Sequence, residues 1–82
     1  MTVKLDDDGA ITLVGACPIE DAEVLLGFLL SNPEATIDWR ACEGAHTAVV
    51  QVLMAAGRRP RGSPRDVFLA GFVAPAIAAA EA

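Results

Sequence analysis

Val3 and Leu5 alternate with Thr2 and Lys4, and Ile11 and Leu13 alternate with Thr12 and Val14, the period-two pattern of half-buried strands. Between them stands Asp8-Gly9, a pair favoured in tight hairpin turns, so the pattern predicts two antiparallel strands. The second strand ends at Gly15-Ala16-Cys17-Pro18. Pro18 suits the first turn of a helix, where a missing N–H costs nothing, and Glu20, Asp21 and Glu23 suit the positive end of the helix dipole. Ala22, Leu25, Leu26, Leu29 and Leu30 then recur at the spacing of one helical face, with Val24 and Phe28 near the opposite side. Asn32-Pro33 ends this helix.

Residues 35–41 alternate again, placing Ile37, Trp39 and Ala41 on one face of a strand and Asp38 and Arg40 on the other. After Glu43-Gly44 the spacing predicts a helix from His46 to about Gly57. Val49, Val50, Leu53 and Ala56 form its inner face, Thr47, Ala48, Gln51 and Ala55 point outward, and Val52 and Met54 flank the stripe. The order strand, helix, strand after a hairpin implies parallel pairing of the strands around Ile11 and Ile37 through a right-handed crossover. Gly57-Arg58-Arg59-Pro60-Arg61-Gly62 shows no apolar alternation and reads as a loop. Ser63 then reads as an N-cap, Pro64 as the first helical residue and Asp66 as the acidic member of a shortened capping box. Phe68, Leu69, Phe72, Val73, Ala76 and Ile77 continue at helical spacing, Pro75 should kink or divide the helix, and residues 78–82 are expected to fray. The chain is thus expected to be one α/β domain over residues 1–82, a small mixed sheet of three to four strands packed against about three helices.

Eighty-two residues suffice for one core and leave no room for a cleft between lobes. No apolar run approaches the roughly 20 residues that span a bilayer, so membrane insertion is not expected. Acidic residues at Asp6–Asp8 stand where a secretory signal would carry its apolar stretch, so a cytoplasmic location is expected, with Cys17 and Cys42 as thiols. A net charge of −5 argues against general nucleic-acid binding. The charge is uneven, because Arg58, Arg59, Arg61 and Arg65 are four of the six basic residues. They read either as a second partner contact or as a solvated stretch balancing an acidic surface.

The order hairpin, helix, strand, helix, with Leu13-Val14-Gly15 before the first helix and Ile37-Asp38-Trp39 before the second, resembles the STAS domain, the fold of anti-sigma factor antagonists. The resemblance covers roughly residues 2–57. It aligns the family's strand aspartate with Asp38, its phosphoacceptor with Thr47, the following small residue with Ala48, and its aliphatic run with Val50, Leu53 and Met54. His46 stands where the family has aspartate, Val49 where it has glycine, and the 58–62 segment does not read as the strand that usually follows, so the chain looks like a shortened or divergent member. The resemblance implies a non-enzymatic module that docks a kinase-like or anti-sigma-type regulator and is switched by phosphorylation at Thr47.

A phosphate on Thr47 would add about −1.5 to −2 charge at a helix N-terminus; the alternative is that Thr47 simply caps the helix. His46 reads either as a pH-responsive group or as a capping partner. Cys17, Cys42 and His46 invite comparison with a metal site, but a fourth ligand and any C-x-x-C pair are missing, so no metal or cofactor is expected. No Gly-rich phosphate loop, nucleophile elbow or nucleophile with a base and an orienting group is present, so catalysis is not expected. The expected partner surface is formed by Asp38, Arg40, Glu43, Gly44, His46, Thr47, Ala48 and Gln51, with Arg58, Arg59, Arg61 and Arg65 as a second contact. The alternative is a constitutive scaffold or subunit of a multiprotein assembly that associates through Val24 and Phe28 or through the Phe68–Ile77 segment. A homodimer and a monomer that covers those residues both fit the pattern.

Overall fold

The computed structural model describes residues 2–81. Strands β1 (Val3–Leu5) and β2 (Ile11–Cys17) form the expected antiparallel hairpin, with Val3 opposite Leu13 and Leu5 opposite Ile11. Gly9 turns it at φ 89°, a left-handed conformation that glycine adopts without penalty, while the Gly9 and Asp6 backbones close the turn through bonds to Asp6 and Ala10. Helix α1 (Asp21–Ser31) crosses over to β3 (Ile37–Ala45), which pairs with β2 in parallel from Ile11 opposite Ile37 to Cys17 opposite Ala45. Helix α2 (Thr47–Ala56) follows, then an irregular strap, residues 58–66. The last element is a helix whose first part is a π turn (Leu69–Val73) and whose remainder is α3 (Ala74–Glu81). The architecture is a three-stranded mixed sheet with three α-helices, and side chains from every element share one core. No helix among the described residues is long and apolar enough to cross a membrane.

The structure departs from the sequence pattern in five places, each with a local cause. First, Pro18 opens a turn rather than the helix: the Asp21 N–H bonds to the Pro18 carbonyl, and α1 starts at Asp21. Second, the inner face of α1 is centred on Leu25 and Leu29, with Val24 and Phe28 also packed on the core, while Leu26 and Leu30 are exposed. This helix is apolar almost all round, so spacing alone does not fix which stripe turns inward. Val24 and Phe28 are therefore not a free association surface.

Third, β3 is longer than its alternating stretch and bulged. Between Thr12 opposite Asp38 and Val14 opposite Ala41 it carries one extra residue, and it carries another between Gly15 opposite Cys42 and Ala16 opposite Gly44. The first bulge breaks the alternation, so the buried set is Ile37, Trp39 and Cys42, and Ala41 stays half-buried beside Val14.

Fourth, the C-terminal helix begins after Asp66, whose carboxylate accepts from the Leu69 N–H at 2.9 Å; Ser63 and Pro64 remain in the strap. The arginine-rich strap is itself tied to β3. The Arg61 N–H bonds to the Ile37 carbonyl at 2.7 Å, the Arg65 N–H to the Cys42 carbonyl at 2.9 Å, and Arg61 forms a parallel bridge with Asp38. Trp39 holds the same segment from inside, donating its indole N–H to the Gly62 carbonyl at 2.9 Å.

Fifth, the apolar spacing of the C-terminal helix divides: Leu69, Val73 and Ile77 face the core, whereas Phe68 and Phe72 are exposed and stacked with ring centroids 5.7 Å apart. Pro75 has no N–H to give the turn before it. The helix absorbs this with the wide turn, in which the Ala74 N–H reaches back to the Leu69 carbonyl, as expected for an interruption at proline. The helix then runs through Glu81; Ala82, the last of the residues expected to fray, lies outside the described residues.

Candidate functional site

The C-terminal ends of β2 and β3 and the start of α2 meet at one edge of the molecule. The backbone enters α2 through His46, whose N–H bonds to the Cys17 carbonyl at 2.9 Å. His46 is the N-cap: its Nδ1 accepts from the Ala48 N–H at 3.0 Å, and its carbonyl accepts from the N–H groups of Val49 and Val50. The capping role therefore belongs to His46, and Thr47 is the exposed first residue of the helix. Because His46 already engages the amides of Ala48, Val49 and Val50, an anion on Thr47 would act through surface charge and the helix dipole rather than by capping.

Glu43, Gly44, His46, Thr47, Ala48 and Gln51 are exposed or half-buried in this region. Asp38 and Arg40 are not part of it. Asp38 lies near the start of β3, opposite Thr12 and in line with Lys4, on the face turned away from the core. The Arg40 guanidinium donates to both Asp38 carboxylate oxygens, at 3.1 and 2.7 Å, and the Arg40 N–H adds a third bond. Those bonds hold the Asp38 carboxyl below its ordinary value, with the Arg61 charge adding to the effect. Asp38, Arg40 and Arg61 thus form one charged group beside the strap.

The four strap arginines do not act as one patch. Arg58 donates to the Ala35 carbonyl at 2.6 Å and holds the start of the strap to the loop before β3. Arg59 borders a recess of about 340 Å³ over Trp39 and Ala74, and Arg61 borders another of about 400 Å³ beside Asp8 and Asn32. Arg65 is exposed and ties its backbone to Cys42.

The feature that sequence pattern missed lies between the first two helices. A groove of about 690 Å³ runs between α1 and α2, lined chiefly by Leu26, Leu30, Ala48, Val52 and Ala55, with Gln51 and Arg58 at its margin. Leu30 is 74% exposed and Leu26 46% exposed. Assigning both leucines to the core concealed the groove; the available signal was the surplus of apolar residues on α1, more than one buried stripe can use. Ala48 and Gln51 belong to this groove, and Thr47 immediately precedes it.

Cys17 and Cys42 are buried free thiols that donate to different carbonyls, Cys17 to Thr2 at 3.9 Å and Cys42 to Gly44 at 3.3 Å, and His46 stands apart from them, because its ring caps α2 and is exposed. Among the described residues no group of three or more His, Cys, Asp or Glu side chains is placed to hold a metal ion. Comparison with protein-family models, curated proteins and solved structures gives no match for this chain.

Proposed function

We propose that this chain is a small regulatory docking domain that seats an apolar helix of a protein partner in the groove between α1 and α2. The groove carries the reading: its walls are Leu26, Leu30, Ala48, Val52 and Ala55, aliphatic or small side chains that let a partner helix approach closely, and charge stands only at its margin. The STAS-like order of elements supports a kinase-like or anti-sigma-type regulator as that partner. In this reading Thr47 is the phosphoacceptor: a phosphate there would place about −1.5 to −2 charge next to Ala48 at the end of the groove and weaken the seating of an apolar helix.

The test uses the full chain as bait, followed by titration of the purified partner against wild type and Ala55→Arg, which places a cation in the groove without touching a core residue. Binding should weaken at least tenfold in Ala55→Arg and remain unchanged in Lys4→Ala on the far side of the sheet. Equal affinity for all three proteins refutes the groove as the docking site. Intact mass after treatment with the cognate kinase should rise by one phosphate in wild type and stay constant in Thr47→Ala.

The stacked pair Phe68 and Phe72, with Phe72 69% exposed, favours a second reading, a constitutive assembly subunit that associates through the C-terminal helix. Under that reading Phe72→Ser abolishes association while Ala55→Arg leaves it intact.

A further inference from the structure

The recess over Trp39 shares no lining residue with the groove between α1 and α2, and its chemistry is different. Its volume of about 340 Å³ is at the small end of the range for small-molecule sites. The strap forms one wall, through Arg59, Pro60 and Gly62. The C-terminal helix forms the other, where Ala70, Ala74 and Ala78 keep the space open. The buried Trp39 closes the floor, and because its indole N–H is already committed to the Gly62 carbonyl, the floor offers a ligand apolar contact only.

Two polar groups at this recess lack partners. Arg59 is the one charged residue among those lining it. Arg40 pairs with Asp38 and Arg58 bonds the Ala35 carbonyl, whereas the Arg59 guanidinium meets no acceptor among the described residues. The second group is the Ala70 carbonyl. In a regular helix it would accept from the Ala74 N–H, but in the wide turn that N–H goes to Leu69. Continuing the wide register would require an N–H at residue 75, and proline has none. The Ala70 carbonyl therefore has no donor within the helix, on a residue that lines the recess. Single wide turns of this kind occur frequently at functional sites.

We propose that this recess binds a small aromatic carboxylic acid that carries a hydroxyl or N–H donor on its ring. Arg59 sets the sign of the charge, and its planar fork of donors matches two carboxylate oxygens. The ring lies over the Trp39 floor between Pro60 and the alanine methyls, and its donor group bonds the Ala70 carbonyl. The bound acid thus bridges the strap and the C-terminal helix, adding to the hold that the Trp39 bond to Gly62 already provides.

The experiment titrates the full chain with para-hydroxyphenylacetate, which has all three features, and follows calorimetric heat and backbone amide shifts by NMR. Saturable binding at a single site is expected, with a dissociation constant of about 1 mM or tighter and the largest shifts at Gly62, Gly71 and Ala74. Phenylacetate, which lacks the hydroxyl, and para-hydroxybenzyl alcohol, which lacks the carboxylate, should each bind roughly fivefold more weakly or worse. Arg59→Ala should weaken binding about tenfold, while Arg65→Ala, which removes the same charge from a strap residue outside the recess, should leave it unchanged. Ala78→Leu, which fills the recess, should abolish it. Should Ala78→Leu fail to fold, the three compounds on the wild-type chain and the Arg59→Ala variant, whose side chain is exposed and unbonded, decide. Heat that does not saturate, equal affinity for the three compounds, unchanged affinity in Arg59→Ala, or largest shifts at Leu26, Leu30 and Val52 would each overturn the assignment.

Discussion

Replacing Trp39 with phenylalanine tests how the strap is held. Trp39 is almost fully buried, and its indole N–H is the one side-chain bond that ties the core directly to Gly62. Phenylalanine keeps an aromatic ring in the site but removes the donor and part of the ring system. The lost hydrogen bond contributes about 1 kcal/mol net. The incompletely filled space adds about 1–2 kcal/mol, below the 3–5 kcal/mol typical of truncating tryptophan to alanine. For a chain of this length each kcal/mol lowers the melting midpoint by roughly 4–8 °C, so Trp39→Phe should melt about 10–20 °C lower. Far-UV circular dichroism is the suitable readout, since the variant removes the only tryptophan. Hydrogen exchange supplies the local signature. The amides of Arg61 and Arg65, which bond to Ile37 and Cys42, should lose protection more than the amides of β2. A shift below about 3 °C, or Arg61 and Arg65 amides as protected as before, would refute the view that the indole anchors the strap.

Removing the α2 cap by His46→Ala should cost about 1 kcal/mol in urea unfolding, and His46→Asn, which keeps an acceptor in place, should recover most of it. Gly62 sits at φ 74°, and a Cβ there would meet the Arg40 side chain. Gly62→Ala should therefore destabilise by about 1–2 kcal/mol, and an Arg40→Ala background should relieve part of that cost in a double-mutant cycle. The Asp38 carboxyl titrates below its ordinary 3.8 because Arg40 hydrogen-bonds it. Its contribution to stability is thus complete above 3.8 and is lost as pH falls through the lower folded value. In Arg40→Ala, carbon-detected NMR titration should show the Asp38 midpoint moving up toward 3.8; an unchanged midpoint would contradict that cause.

The long-range pairing of this fold was legible because it rests on clean alternation. Val3, Leu5, Ile11 and Leu13 specify the hairpin, and Ile11 opposite Ile37 is the parallel pairing that the strand–helix–strand order implied. What the pattern concealed has local physical causes. Leu26 and Leu30 read as core because α1 offers more apolar surface than the sheet can cover, and the groove follows from that surplus. Ala41 and Cys42 exchange roles because a bulge leaves no mark in the alternation before it. The strap reads as a loop, since its attachment uses the backbone of Arg61 and Arg65, whose side chains say nothing about it. His46 displaced Thr47 as the cap through a ring nitrogen, a role for which serine, threonine, asparagine and aspartate are the usual candidates.

The strap also bears on how the protein stays dispersed. β3 is the longest strand, and without a neighbour its outer edge would present a row of free amide and carbonyl groups around Ile37, Trp39 and Cys42, a template for an incoming chain. The Arg61 and Arg65 amides occupy two of those carbonyls, and the arginine charges repel a second copy carrying the same segment. The opposite border, β1, is three residues long and bears Lys4, too short to recruit a strand. Protection against aggregation is therefore concentrated in one tethered segment. Local release of the strap, well before global unfolding, is the step at which self-association through β3 becomes available, and its onset should depend on protein concentration.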